Sequence, residues 1–256
     1  MFLGSTQQFG RRTAAKTTIL LSVVFFFMAF VDDASGQRRF SRTYPTGRVV
    51  RLTLVNKTGT VVVVGWERQQ IEIVARLESP AANIAPQNNS SEITIDLLRD
   101  NYGREVGNVN FEIRVPYTAI VDIETRIGNL SISNIRSAFV RAHISSAGDI
   151  ELTGMGSHGV VAENKLGDIL FDGELLEGGR YRFSSMQGAI NLRIPFNSSF
   201  KLMATAPSTR NISLGAFAGP DMSAIGDGRR IVGKFGLGSS TIDVTNQRGS
   251  ISFIRR

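Results

Sequence analysis

The 256-residue sequence contains no cysteine, two histidines and one tryptophan. The first absence excludes disulfides, thiol nucleophiles and thiolate metal sites. Two histidines leave little material for a histidine metal centre. Long apolar runs are missing as well: residues 19–31 form a run of 13, with Ser22 its single polar member, about 20 Å as a helix against the roughly 20 residues a membrane span needs. Helical periodicity is almost absent. What the chain has instead is glycine, 26 residues of it, and alternating apolar positions, with 42% hydrophobic and 20% charged residues arguing against disorder.

Arg11, Arg12 and Lys16 precede the apolar run, and Ala34-Ser35-Gly36 follows it with small residues where a signal peptidase reads. Residues 1–36 therefore read as a signal peptide cleaved after Gly36, with retention as an N-terminal anchor the alternative. Export places the chain in the periplasm, cell envelope or extracellular space. Once cleaved, it is not an integral membrane protein. Lys and Arg total 29 against 22 Asp and Glu, a net charge of +7. Residues 37–50 hold Arg38, Arg39, Arg42 and Arg48 without an acid, and are expected to form a basic flexible arm. No nucleic-acid partner is expected, because no groove-reading pattern accompanies this charge.

From residue 51 onward strand patterns dominate: Leu52-Thr53-Leu54-Val55, Val61-Val62-Val63-Val64 and Ile71-Glu72-Ile73-Val74-Ala75 alternate or run apolar between turn formers. Residues 79–91, rich in Pro, Asn and Ser, read as a surface loop. The main feature is a repeat of form N/T/S-x-x-G-x-Φ-x-Φ, with Φ apolar. Copies centre on Gly59, Gly128, Gly148, Gly167, Gly188 and Gly249, as in Asn164-Lys165-Leu166-Gly167-Asp168-Ile169-Leu170-Phe171. Gly128, Gly148, Gly167 and Gly188 follow one another at 20, 19 and 21 residues. Each unit alone buries too little, so stacking is required. The spacing predicts an all-β, single-domain β-solenoid, similar to a parallel β-helix, with coils of roughly 20 residues. The six glycines are its structural turns.

A longer echo supports that register: Phe111-Glu112-Ile113-Arg114-Val115-Pro116 resembles Ile190-Asn191-Leu192-Arg193-Ile194-Pro195. Both prolines belong at strand ends, since proline cannot donate to a ladder. With the repeat and the R-Φ-P ending in view, residues 51–256 resemble the adhesin-like β-strand-repeat family of bacterial envelope domains, most clearly over Leu54-Val55-Asn56-Lys57-Thr58-Gly59 and the glycine turns. The resemblance implies an exported, non-enzymatic, solenoid-like protein of unknown function without transferable catalytic or ligand residues. Residues 206–234 depart from the clean repeat.

Enzyme chemistry finds little support. A polysaccharide hydrolase or lyase on a β-helix is the alternative, and Asp149 and Asp168, equivalent in consecutive repeats, are expected to stack at about 5 Å. Thr60, Asn129, Ala189 and Ser250 hold the same place elsewhere, so a turn role is the better account. His143 and His158, Ser157 in Gly154-Met155-Gly156-Ser157-His158-Gly159, and Gly226-Asp227-Gly228-Arg229-Arg230 lack the partners of a metal site, a serine hydrolase or a phosphate loop. No cofactor is expected. Trp66, Arg114 and Arg193 are the candidate binding surface, for an envelope protein or a polysaccharide.

Overall fold

The computed structural model describes residues 38–256 apart from 48 and 90, so the expected signal peptide lies outside the described residues. In chain order the strands are β1 (Arg38–Pro45), β2 (Arg51–Thr58), β3 (Val61–Trp66), β4 (Gln70–Leu77), β5 (Gln87–Asn88), β6 (Glu92–Asp96), β7 (Val109–Pro116) and β8 (Ile120–Ile127). They continue as β9 (Leu130–Ser133), β10 (Phe139–Ala147), β11 (Ile150–Met155), β12 (Gly159–Leu166), β13 (Ile169–Gly173), β14 (Arg180–Gln187) and β15 (Ile190–Ile194). The last are β16 (Phe200–Thr205), β17 (Ile212–Ser213), β18 (Met222–Ile225), β19 (Arg230–Phe235), β20 (Ser240–Asn246) and β21 (Ile251–Arg255). A four-residue helix at Leu97–Asp100 is capped by the Asp96 carboxylate, which accepts from the Arg99 N–H at 2.9 Å. Among the described residues no helix is long and apolar enough to cross a membrane.

Two sheets result, an almost all-β architecture. One runs β1-β4-β7-β3-β9-β11-β13-β15-β21-β17 and the other β18-β19-β16-β20-β14-β12-β10-β8-β2-β6-β5. From β8 to β15 the chain alternates between sheets, and each strand pairs in parallel with the next but one. Val121 stands opposite Val140, Val140 opposite Val160, and Val160 opposite Tyr181. Two strands joined through a glycine turn, one in each sheet, make a layer. Every second side chain points inward: Val140, Ala142 and Ile144 are buried while Arg141 and His143 face out. The inward residues of both sheets share one apolar core.

Spatial order and chain order part at both ends. β2 and β3 lie between β8/β9 and the later β6/β7, and the final strands β20 and β21 lie between β14/β15 and the earlier β16/β17. Antiparallel strands finish each end, β1 and β4 beside β7, and β19 and β18 beside β16. Here the expected flexible arm is corrected. Arg38–Pro45 is a strand, paired with β4 from Arg38↔Leu77 to Pro45↔Gln70. Phe40 and Tyr44 recur on one face and pack against the core, which outweighs the charge of Arg38, Arg39 and Arg42. Those arginines suit an edge, where cations discourage pairing with another chain.

A second difference concerns the third repeat. Counting back from Gly148 sets Ser145 against Asn164, but Ile144 takes that place, opposite both Thr125 and Asn164. A bulge before Ala147 absorbs the extra residue, keeping the apolar face inward.

Candidate functional site

The turn glycines form a column. Gly128 packs on the carbonyl of Gly59, Gly148 on that of Gly128, Gly167 on Gly148, Gly188 on Gly167 and Gly249 on Gly188. At Gly148 a side chain is barred twice: its Cβ would strike the Gly128 carbonyl, and its φ of +144° is a conformation L-residues rarely adopt. Beside the column runs a polar ladder. The Asp149 N–H donates to Asn129 Oδ1 at 3.0 Å, the Asp168 N–H to Asp149 Oδ1 at 2.8 Å, and the Ala189 N–H to Asp168 Oδ1 at 2.7 Å. Except in the third repeat, where Ser145 is exposed, the first residue of the repeat motif is buried, and two asparagines there brace the turn. Asn164 Nδ2 donates to the Gly148 carbonyl at 2.7 Å, and Asn246 Nδ2 to the Gly188 carbonyl at 2.8 Å.

Asp149 and Asp168 thus meet as the spacing required, each with an oxygen taken by backbone. His143 lies on the outer face of the second sheet, its Nδ1 at 3.0 Å from Arg141 Nη2 and 3.4 Å from Glu124 Oε2. Arg141 also pairs with Asp122 at 3.0 Å. Burial works against the Arg141 charge, yet Asp122, Glu124 and Glu163 outweigh it and hold its pKa above the ordinary value. His158 is exposed in the turn before β12, away from His143 in the middle of the neighbouring β10. Ser157 is buried, and its hydroxyl accepts from the Ser137 N–H at 3.1 Å, a core contact. Gly226-Asp227-Gly228 turns the β18–β19 hairpin, all three residues at positive φ.

Trp66 closes β3, and its indole N–H donates to the Gln70 carbonyl at 2.8 Å. Arg68 and Arg114 stand 5.1 and 5.9 Å from the ring, and Arg114 pairs with Glu72 at 3.0 Å. A trough of about 420 Å³ opens alongside, lined by Trp66, Tyr117, Asn134 and Arg136. Arg193 is elsewhere, paired with Asp172 at 3.5 Å. The register Arg114–Val64–Ser133–Thr153–Asp172–Arg193 puts the two arginines in one outward row but five strand spacings apart, about 24 Å. One small ligand cannot bridge them.

A different set comes together on the outer face of the second sheet, unmarked by the sequence reading. Gly159 leaves a hollow of about 460 Å³ bordered by Phe139, His158, Val161, Arg180, Arg182 and Asp243. Its signal was a glycine at the start of a strand, a mark of close approach. A Cβ on Gly159 would stand 2.8 Å from the Phe139 ring, so the ring lies over the bare backbone.

The sequence matches no established protein family and no curated protein. Two of the solved structures that resemble the chain are bacterial proteins. A protein provisionally named for cell adhesion, from Clostridium sporogenes ATCC 15579, aligns with a TM-score of 0.46 at 10% identity over 86% of this chain and 100% of its own. One provisionally named an adhesin, from Bacteroides fragilis NCTC 9343, aligns with a TM-score of 0.32 at 10% identity over 85% and 97%. Both likenesses are too distant to bear on function.

Proposed function

We propose that the protein is an exported, non-enzymatic envelope component with an adhesin-like interaction or structural role, built as a β-solenoid with coils of about 20 residues. Residues 51–256 are its body, joined by the strand at Arg38–Pro45, and the leader at 1–36 directs export. Its partner is an envelope protein or polysaccharide, met by side chains on the outer faces. The observation that carries this reading is the use of the candidate catalytic acids for architecture. Asp149 and Asp168 accept from backbone N–H groups of the next layer, through Oδ1 in each case. A glycosidase needs one of its two carboxyl groups free to act as acid and the other as base or nucleophile.

Retention of the protein on isolated envelope fractions at rising salt tests the reading. Retention at low ionic strength that weakens with salt is expected; absence of binding at every ionic strength overturns it. A polysaccharide turnover screen should be blank. Turnover abolished in Asp149→Asn or Asp168→Asn would establish the enzyme instead.

A further inference from the structure

One outward row on the second sheet carries more positive charge than folding needs. Phe139 stands opposite Gly159, Gly159 opposite Arg180, Arg180 opposite Thr241, Thr241 opposite Lys201, and Lys201 opposite Lys234. None of these residues is acidic. Lys201 and Lys234 face each other directly across an antiparallel pair, a placement with Cβ atoms about 5 Å apart in which like charges destabilise. Among the described residues neither lysine, nor Arg180, has an ion pair, and all three are exposed. The neighbouring row is different: Arg141 pairs with Asp122, and Arg182 with Asp243 at 3.8 Å. The fold therefore tolerates a repulsion that an external anion would relieve.

The row begins at the Gly159 hollow, where Arg182 is held by Asp243 but the ring of Phe139 shares the cavity with Arg180, which has no ion pair among the described residues. Such a pair suits a sugar ring bearing a carboxylate, its C–H face against the phenyl ring and its carboxylate on a guanidinium. Beyond it Arg180, Lys201 and Lys234 extend along a line of about 14 Å at the strand spacing. We propose that this row binds a linear acidic polysaccharide whose sugars carry carboxylates, one ring seated in the Gly159 hollow. The proposal rests on the interaction reading above and names its ligand class. A flat anionic membrane fits less well. Asp122, Glu124 and Glu163 lie on the same sheet face and would be pressed against it, whereas a single chain follows the row past them. An acidic peptide would find no unpaired backbone groups on a sheet face to extend.

Binding of the protein to immobilised polygalacturonate tests this, with dextran as neutral control and phosphatidylserine vesicles as the membrane arm. Polygalacturonate should retain the protein at low salt and release it as salt rises, while dextran and vesicles should not retain it. The triple variant Arg180→Ala/Lys201→Ala/Lys234→Ala should bind about tenfold more weakly, because three exposed charge contacts are lost. Its melting temperature should not fall, since a like-charge pair is removed. Lys234→Ala alone, in the β19 hairpin, should lose about threefold and serves if the triple variant does not fold. The proposal fails if the variants bind as the parent does, if dextran binds equally, or if vesicles retain the protein and polygalacturonate does not. Envelope retention undiminished in the triple variant would also sink it and leave the interaction reading intact, whereas a parent that ignores envelope fractions sinks that reading itself.

Discussion

Between β8 and β12 the core is aliphatic, the turns stack glycine on glycine and the outward Arg141 is paired with Asp122 and Glu124; from β16 to β21 phenylalanines fill the core, strands turn antiparallel and lysines face each other. In the first region every layer has a near copy above and below it. Register can then be set by backbone contact, as Gly148 on Gly128, and by the Asn129–Asp149–Asp168 ladder. Past β16 and β17 the described strands add no further glycine-stacked layer. Large side chains must close the core, and Phe217, from an irregular 3-10 turn, packs against Phe200, Phe235 and Phe253 with ring centroids at 5.8, 5.1 and 6.3 Å. Repetition makes the scaffold; its interruption makes room for a surface that the scaffold does not need.

Several substitutions would sharpen or break that contrast. The largest effect is expected for Gly148→Val, which puts a branched side chain into the Gly128 carbonyl at a left-handed φ and should cost about 5 kcal/mol or prevent folding. Thermal or urea unfolding measures it, and a near-normal stability would mean the column is incidental. Phe217→Ala should cost about 3–4 kcal/mol by leaving a cavity among the rings. Its amide exchange should quicken in β16 to β21 before β8 to β15.

Tyr181 sits where the regular layers end. Its hydroxyl donates to the Ser157 carbonyl at 3.0 Å and accepts from the Leu176 N–H at 2.7 Å. Tyr181→Phe should cost about 1 kcal/mol in urea titrations near neutral pH. Burial raises the phenol pKa above its ordinary 10.0, partly opposed by the Leu176 N–H. A raised folded value means this contribution is complete below pH 10 and is lost as pH climbs through the folded pKa. The parent should thus lose stability above pH 10 more steeply than Tyr181→Phe does. Smallest of all, Asp149→Ala should cost about 0.5–1 kcal/mol through the ladder bond to Asp168, and Asp149→Asn almost nothing, because Asn129 already performs the same task one layer away.

Much of the middle was legible in the sequence. The period of Gly128, Gly148, Gly167 and Gly188 located the turns, and two-residue alternation named the buried positions. The adjacency of Asp149 and Asp168 followed from their shared place after glycine. What escaped was everything that depends on neighbours rather than on pattern. Alternation says which face of β2 is apolar, but not that β2 slips between β6 and β8. Arg38, Arg39 and Arg42 masked the Phe40 and Tyr44 spacing of an edge strand. The extra residue before Gly148 left the motif intact while moving Ile144 into the polar position. Lys201 and Lys234 lie 33 positions apart in a region where the repeat fails, and only the pairing of β16 with β19 reveals that they oppose each other. Of the candidate trio, Trp66 and Arg114 share a place, while Arg193 lies five strand spacings away in the same outward row.

The division between scaffold and surface is tested most directly by measuring melting temperature and polygalacturonate retention side by side for two variants, Asp149→Ala in the middle and Lys201→Ala/Lys234→Ala at the end. The predicted result is a crossed one: the first melts lower and binds as the parent does, while the second melts no lower and binds more weakly. A second variant that melts lower yet keeps its binding would contradict the account, placing the lysines in the scaffold and the recognition elsewhere.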